Sequence, residues 1–535
     1  MAASTRTPVS RTRPKRSAKG RLDFRLGAFW TVIGTYLPGS GLMRAGLRRP
    51  GATALISFVV IVLGIALAAL VAPNTLLRLG VNSLFLKVLV VLIPILALAW
   101  AGLIVVTHLL LRPHALTKLE RVLGSVLVGV LTLTIATPLA VAARYSFDQS
   151  RLLDTIFKDS SDLQSGTAPH LDGRNPWKNK PRVNILLLGG DAGRDRTGTR
   201  TDTVILASVD TRTGDTVLIS LPRNTARMPF PADSPLHQYY PEGFTSGWGD
   251  DLEYMLTEMY ENIPPNVPPD ILGPTDNLGA DVVKLSVGEA TGLKVDYYVL
   301  VELEGFHKLI DALGGITVNI NTWVAIGGDT SRGILPAGAL APGPNQHLNG
   351  DQALWYARGR FGADDFQRMD RQRCVIDAVI KQANPANMLT RYEDVARQGK
   401  EIVRTDIPQE ILPAMVDLSL RVKNGTSTSI VLRSGEDGFV SSDPDFDRIR
   451  ARVAAAIAPK PTPTPAPPGG EASTEPPADP GTENPQPTEE QPPAEAPVEP
   501  APESTPLPPA EDLSDSCAFK PELAATQGDR PPWLR

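Results

Sequence analysis

Three stretches of this chain contain no Asp, Glu, Lys or Arg: Ala52–Leu77, Val88–Leu111 and Val122–Ala143. Crossing the hydrocarbon of a bilayer takes about 20 predominantly apolar residues, and each stretch has that length. One such run could be a buried helix of a soluble core. Three in close succession predict three transmembrane helices over residues 52–143. A cleaved signal peptide does not fit, because the first run begins only at Ala52.

Basic residues in short loops set orientation. Residues 1–26 carry eight Lys or Arg and one Asp, and Arg44, Arg48 and Arg49 precede the first run. The loop after the second run holds Arg112, Lys118 and Arg121; the loop after the first holds Arg78 and Lys87. The expectation is an N-terminus in the cytoplasm and, after three crossings of the cytoplasmic membrane, everything beyond Arg144 outside it. Leu26–Met43 is also uncharged, but it is short and broken by Pro38, Gly39 and Gly41. It reads as an interfacial or re-entrant segment; as a fourth span it would reverse the topology.

Composition then divides the rest. Residues 1–51 are a basic segment containing the interfacial stretch, 52–143 the spans and 144–180 a polar stalk. A globular domain occupies 181–457. Between Pro459 and Pro509 there are 19 prolines, so 458–511 reads as a disordered, extended linker. An end piece, 512–535, follows. The net charge of −5 over 535 residues argues against a nucleic-acid binder. Two cysteines and six histidines exclude a disulfide framework and leave little for a zinc site. Cys374 and Cys517 either pair, clipping the end piece to the domain, or remain two free thiols.

Within the globular domain, strands are expected at Val183–Leu188, Asp202–Val209 and Thr216–Leu221. The turn Thr211-Arg-Thr-Gly-Asp joins the last two as a hairpin. A strand at Val295–Val301, a helix over Gly305–Leu313 and a strand at Ile316–Ile320 follow. Val375, Ile376, Val379 and Ile380 recur with helical spacing. Mixed elements predict an α/β core.

Three polar clusters lie beside predicted strand ends. GGDAGRDRTGTRTDT, positions 189–203, brings Asp191 and Asp202 to one loop. Two carboxylates without Cys or His suit a hard cation, Mg2+ or Mn2+; surface ion pairs fit the same composition. SLPRNT, positions 220–225, offers Arg223. YARGRFGADDFQRMDRQR, positions 356–373, holds five arginines, three aspartates and no lysine. Read as extended, its first residues point Arg358 and Arg360 the same way. Arg368, Arg371 and Gln372 share one face of a helix. Guanidinium groups donate in parallel pairs to phosphate, which lysine does not. A clamp for a fixed polyanion and an internal network neutralised by Asp364, Asp365 and Asp370 both fit these residues.

Six segments, in this order, resemble the extracytoplasmic domain of the LytR-CpsA-Psr family, which attaches glycopolymers to bacterial cell wall. They are NILLLGGD, GTRTDTVILASVD, VLISLPRNT, DYYVLVELEGFHKLIDALGGITVNI, LNGDQALWYARGR and DFQRMDRQRCVI. The resemblance implies a mixed-sheet α/β/α sandwich that holds a polyprenyl pyrophosphate, its tail in an apolar tunnel and its head at an arginine-rich mouth. It implies magnesium at Asp191 and Asp202, and pyrophosphate at Arg200, Arg223, Arg358, Arg360, Arg368 and Gln372. Arg200, Asp202, Arg223 and Asp365 would carry catalysis, with Asp202 or Asp365 taking the acceptor's proton. The implied reaction moves a glycopolymer, with its phosphate, from the polyprenyl carrier to peptidoglycan. A non-catalytic lipid-binding regulator and a pyrophosphatase are the alternatives. The chain departs from the family in reading SLPRN for SIPRD, so Asn224 inherits no role. The long segment Pro229–Asp281 is read as a lid, an acceptor-side wall or a surface elaboration. No GxSxG, Walker or HExxH motif is present.

Overall fold

The three uncharged runs lie in helices Arg48–Val71, Ser83–Leu111 and Lys118–Ile156 of the computed structural model. It describes residues 23–113, 115–169, 175–191, 198–247, 251–330, 332–382, 403–435, 439–458 and 508–534. The helices have 24, 29 and 39 residues, or about 36, 44 and 58 Å at 1.5 Å per residue. Each exceeds a hydrocarbon core of about 30 Å. Among the described residues these are the three helices long and apolar enough to cross a membrane. The third begins on a capping box, in which Thr117 and Glu120 satisfy each other's backbone N–H groups.

Leu26–Met43 folds as a helical hairpin. Helix Phe24–Tyr36 stops before Gly39, whose φ of 96° turns the chain into a second short helix, Ser40–Arg44. The first helix is about 20 Å long, too short to span. It lies against the second apolar helix, where Trp100 Nε1 donates to Thr35 O at 3.0 Å.

Eleven strands follow among the described residues. They are β1 (Arg182–Gly190), β2 (Thr201–Asp210), β3 (Thr216–Leu221), β4 (Tyr297–Glu302) and β5 (Ile316–Ile320). Then come β6 (Val324–Ile326), β7 (Gly338–Leu340), β8 (Gly343–Leu348), β9 (Val403–Thr405), β10 (Ser427–Val431) and β11 (Glu511–Asp512). Seven form one mixed sheet in the order β11-β10-β3-β2-β1-β4-β9. β1 runs parallel to β4 and antiparallel to β2. The expected hairpin joins β2 and β3: the Asp210 carboxylate accepts from the N–H groups of Arg212 and Thr213, and Gly214 takes φ 85°.

The sheet is covered on both faces, giving the α/β/α sandwich. Leu186, Leu188, Val204, Leu206 and Ile219 pack one face on Val283 and Val287 of helix Leu278–Thr291 and on Ile449 and Val453 of helix Phe446–Ile457. The opposite face meets helices Leu303–Leu313, Asp365–Gln382 and Leu412–Asn424. Pro229–Asp281 is neither lid nor surface elaboration. Phe230, Leu236, Phe244, Leu256, Met259 and Ile263 are buried in the first core, because a segment this aromatic and aliphatic lowers its free energy by leaving water.

Three junctions depart from simple expectation. The stalk continues the third span's helix to Ile156 and then docks on the domain: Lys158 pairs with Asp276 at 2.6 Å, and Ser160 bonds Glu410. The loop helix Pro73–Gly80 also docks, through Arg78–Asp417 at 2.6 Å. The cysteines pair: Cys374–Cys517 closes over 143 residues, and β11 joins the sheet edge beside β10. The greater part of the Pro-rich linker, 459–507, and the basic residues 1–22 lie outside the described residues.

Candidate functional site

β1 ends on Gly189-Gly190, where its register with β2 shifts. A Cβ on Gly190 would lie 2.3 Å from Glu302 Oε2, and one on Gly189 would lie 2.9 Å from Thr203 Cβ. A side chain at Gly189 would press on Thr203, and one at Gly190 would displace the Glu302 carboxylate. Asp191 follows, buried, its N–H donating to Arg200 O at 3.0 Å and its Oδ1 accepting from Arg200 N at 3.2 Å. Residues 192–197 of this loop lie outside the described residues.

Beneath this strand end runs an apolar cavity of ≈ 410 Å³. Leu187, Val299 and Val301 of the sheet form one wall; Phe306, Leu309, Ile310, Val375, Ile376 and Val379 of two helices form the other. At one end its lining turns polar, with Asp191, Asp202, Arg358, Arg368 and Gln372. There it meets a polar cleft of ≈ 730 Å³ that shares Asp191, Asp202, Arg358 and Arg368 and adds Arg200, Arg223, Arg360, Asp365 and Glu258. Every residue singled out for the site in the sequence borders one of these two spaces.

Local structure explains each placement. Arg223 follows β3 in a turn closed by Thr225 Oγ1 donating to Pro222 O at 2.7 Å. Its guanidinium reaches Asp202 at 2.6 Å and Asp365 at 3.5 Å. Arg358 does not sit on extended backbone. It ends helix Gly350–Arg358, which starts on a capping box between Asn349 and Gln352. Its side chain lies 5.6 Å over the Trp355 ring, and Arg360 comes two residues after the helix end. Arg368 is buried, donating to Asp365 at 3.0 Å and to Asp202 O at 3.2 Å. Its Nε finds no hydrogen-bond partner among the described residues. Gln372, one turn on, lines the cavity and donates to Ala357 O at 3.3 Å.

Arg371, which shares a helix with Arg368, does not border the cleft. Its fork bonds the carbonyls of Tyr356 and Gly359, and so closes the preceding helix end. Arg373 is buried against Asp370, at 2.5 Å, and Ser429. The arginine-only stretch therefore divides: Arg358, Arg360 and Arg368 face the cleft, while Arg371 and Arg373 hold the fold.

The cleft's charges act on one another. Burial pushes the Asp202 carboxyl up, but Arg223, with Arg368 and Arg360 behind it, holds the net value below the ordinary carboxylate range. Burial pushes Arg368 down to about 10, against the attraction of Asp365. Glu258 moves the opposite way to Asp202. Burial, with Asp202 and Asp191 nearby, raises it above its ordinary value despite Arg200 at 3.0 Å. Glu258 was not legible in the sequence. It lies in the motif-free segment before helix Leu278–Thr291, with no periodicity to mark it.

The family model described as LytR_cpsA_psr family matches residues 154–434. The chain belongs to the LytR-CpsA-Psr family. The polyisoprenyl-teichoic acid–peptidoglycan teichoic acid transferase TagU of Oceanobacillus iheyensis is 28% identical over 283 residues, 51% of this chain and 76% of that protein. TagU of Enterococcus faecalis is 25% identical over 292 residues, 53% of this chain and 78% of that one. Among solved structures, B. subtilis TagV has 23% identity and a TM-score of 0.34, covering 52% of this chain and 97% of its own. The LytR-CpsA-Psr protein YwtF (TagT) with bound octaprenyl pyrophosphate lipid has 18% identity and a TM-score of 0.31, covering 55% and 97%.

Proposed function

We propose that this LytR-CpsA-Psr protein is a membrane-anchored phosphotransferase. It moves a glycopolymer, with its phosphate, from a polyprenyl-pyrophosphate carrier to peptidoglycan. The observation that carries this reading is the junction of an apolar cavity with an arginine-rich cleft at Asp202, Arg358 and Arg368. A prenyl chain suits the first space and a pyrophosphate the second. The relatives named as teichoic acid transferases, and the TagT structure with its prenyl lipid, support the same substrate class.

The chemistry asks for positioning and charge neutralisation more than covalent help. Arg223, Arg358, Arg360 and Arg368 would neutralise the pyrophosphate and hold it in register. An acceptor hydroxyl attacks the sugar-linked phosphorus; a new P–O bond forms, the bond to the bridging oxygen breaks, and polyprenyl phosphate leaves with that oxygen. Asp202 and Asp365 are engaged by arginines, which suits them to hold those arginines in place. Glu258 also meets an arginine, Arg200 at 3.0 Å, but burial still raises its proton affinity, which makes it the better proton acceptor on this wall.

Asp191 and Asp202 border the junction with no Cys or His beside them, a donor set that fits Mg2+ or Mn2+. Among the described residues no group of three potential ligands gathers, so phosphate oxygens and water would complete the shell. Bound there, the cation would add to the neutralisation of the pyrophosphate. By its loop charges the N-terminus faces the cytoplasm and the domain and C-terminus lie outside.

The test uses the full chain in proteoliposomes with a polyprenyl-pyrophosphate-linked glycan, peptidoglycan and Mg2+. Acceptor-dependent release of polyprenyl phosphate, with glycan on peptidoglycan, is expected. Release at the same rate without acceptor would make it a pyrophosphatase. Tight donor binding with no release would make it a lipid-binding regulator.

A further inference from the structure

Arg360 is the least tightly tied of the arginines along the cleft. Arg223 and Arg368 meet carboxylates at 2.6 and 3.0 Å. Arg360 reaches Asp365 at 3.9 Å, with its side chain 47% exposed, and that is too long for a hydrogen bond. Its place at the cleft depends on the backbone that carries it, the connector between helices Gly350–Arg358 and Asp365–Gln382. The connector is pinned at both ends: Arg371 donates to Gly359 O, and Asp364 Oδ1 accepts from Gln367 N at 2.7 Å. Between these points Ala363 N donates to Arg360 O at 2.9 Å, and Gly362 turns the chain with φ 71°.

Phe361 is the one large apolar side chain of this connector, and its ring is held from two sides. On one side it lies against Gly328, where a Cβ would come within 2.9 Å of Phe361 Cδ2. On the other stands Trp533, its ring 5.8 Å from that of Phe361 and at 77° to it, an edge-to-face pair. Trp533 also covers Gly362, where a Cβ would lie 3.5 Å from Trp533 Cε3. Gly328 and Phe361 line the polar cleft, so Trp533 backs its wall.

Trp533 belongs to the end piece, and a chain of contacts brings it to the cleft. β11 pairs with β10 at the sheet edge, and Leu513 is fully buried against Ile205 and Leu218. Three residues at alternate positions, Asn319, Asn321 and Trp323, then guide the segment. Asn319 donates to Cys517 O at 3.0 Å, and Asn321 donates to Ala518 O at 3.1 Å and accepts from Lys520 N at 2.8 Å. Trp323 Nε1 donates to Gly528 O at 3.2 Å. Bracing the sheet edge needs only β11 and Leu513. The later ties carry the segment on to Phe361.

We infer that Trp533 is a positioning residue for the pyrophosphate: by pressing Phe361 against Gly328 it holds the loop that presents Arg360. The end piece is in this sense part of the substrate site. This rests on the part of the transferase reading that puts a pyrophosphate at Arg360.

The experiment measures octaprenyl pyrophosphate affinity on the full chain in proteoliposomes, with glycan transfer to peptidoglycan followed in parallel. Trp533→Ala should weaken affinity about 2- to 13-fold, the factor an edge-to-face aromatic pair represents. In an Arg360→Ala background the same change should alter affinity by less than about twofold, because the group it positions is gone. Trp533→Phe keeps a ring edge against Phe361 and should restore most of the affinity. Trp323→Phe, a mild change that drops only the tie to Gly528, should act in the same direction as Trp533→Ala and lose its effect equally without Arg360. Wild-type affinity in both Trp533→Ala and Trp323→Phe, or the same fractional loss with and without Arg360, overturns the positioning role. Binding by wild type without any glycan transfer sinks only the transferase reading, since affinity alone decides this one. No binding by wild type overturns both.

Discussion

Replacing Arg368 by lysine isolates geometry from charge. Arg368 is 3% exposed, and one of its terminal nitrogens serves both Asp365 Oδ2 and the carbonyl of Asp202. The remaining donors of the fork, with an Nε that has no partner among the described residues, are what a phosphate can use. A lysine ammonium that keeps the Asp365 contact satisfies that carboxylate but offers the ligand no parallel pair. A hydrogen bond to a charged group is worth about 1.5–3 kcal/mol, and each 1.36 kcal/mol is about tenfold in rate. Losing one such bond in the transition state should lower kcat/KM about 10- to 150-fold. Because the buried positive charge is kept, the unfolding temperature should shift by only a few degrees. The assay is polyprenyl phosphate release at saturating peptidoglycan, with thermal unfolding as the control. A folded lysine variant within twofold of wild type would refute the clamp. There is a second signature. Burial leaves Arg368 with a pKa of about 10, so donor affinity in the wild type should weaken as pH rises through that value.

Glu258→Gln should lower kcat more than KM and remove the acidic limb of the wild-type pH profile. That limb should sit above the ordinary glutamate value because burial raises Glu258; an unchanged limb would exclude it as proton acceptor. Cys374→Ser opens a bridge spanning 143 residues, for which chain entropy alone gives on the order of 4–5 kcal/mol; a large drop in unfolding temperature, matched by reductant on the wild type, is expected. Lys284→Met leaves Asp406 buried without its cation, both being under 3% exposed, with Tyr298 N still donating to it. Breaking such a pair costs about 3–5 kcal/mol, readable by denaturant titration; a variant as stable as wild type would contradict the buried pairing.

How far the sequence could be read depended on the physics behind each signal. The spans were legible because hydrocarbon excludes charge, and that leaves an unbroken mark. The expected bounds of β3 and β5 match the structure to the residue, since a glycine turn, at Gly214 and at Gly314-Gly315, sets the start of each. The reading of Tyr356–Arg360 as extended was an error of local context. Asn349 and Gln352 cap a helix that carries Arg358 to its last position, and the capping pair lies six to nine residues upstream of that arginine. Arg371 shares a helix face with Arg368 and Gln372 and is expected to balance the neighbouring aspartates, yet its fork bonds two carbonyls at a helix end. Spacing fixes a face of a helix, and a long side chain can still leave it for unsatisfied backbone acceptors.

The site combines local and long-range information unequally. Asp191, Asp202 and Arg223 stand at the ends of adjacent strands, so strand pairing brings them together and the sequence order of the motifs nearly suffices. Glu258 arrives from a segment whose own residues are chosen for burial in the opposite core. Its position is set by Thr257 N donating to Arg223 O at 2.9 Å, a contact with no local signature. The anchor is the extreme of the same effect. Nothing in the composition of Pro73–Gly80 says that its arginine will meet Asp417, more than three hundred residues later. That contact fixes the domain on the spans. Composition reports which residues avoid water, whereas which charged groups meet across three hundred residues is determined only by the fold.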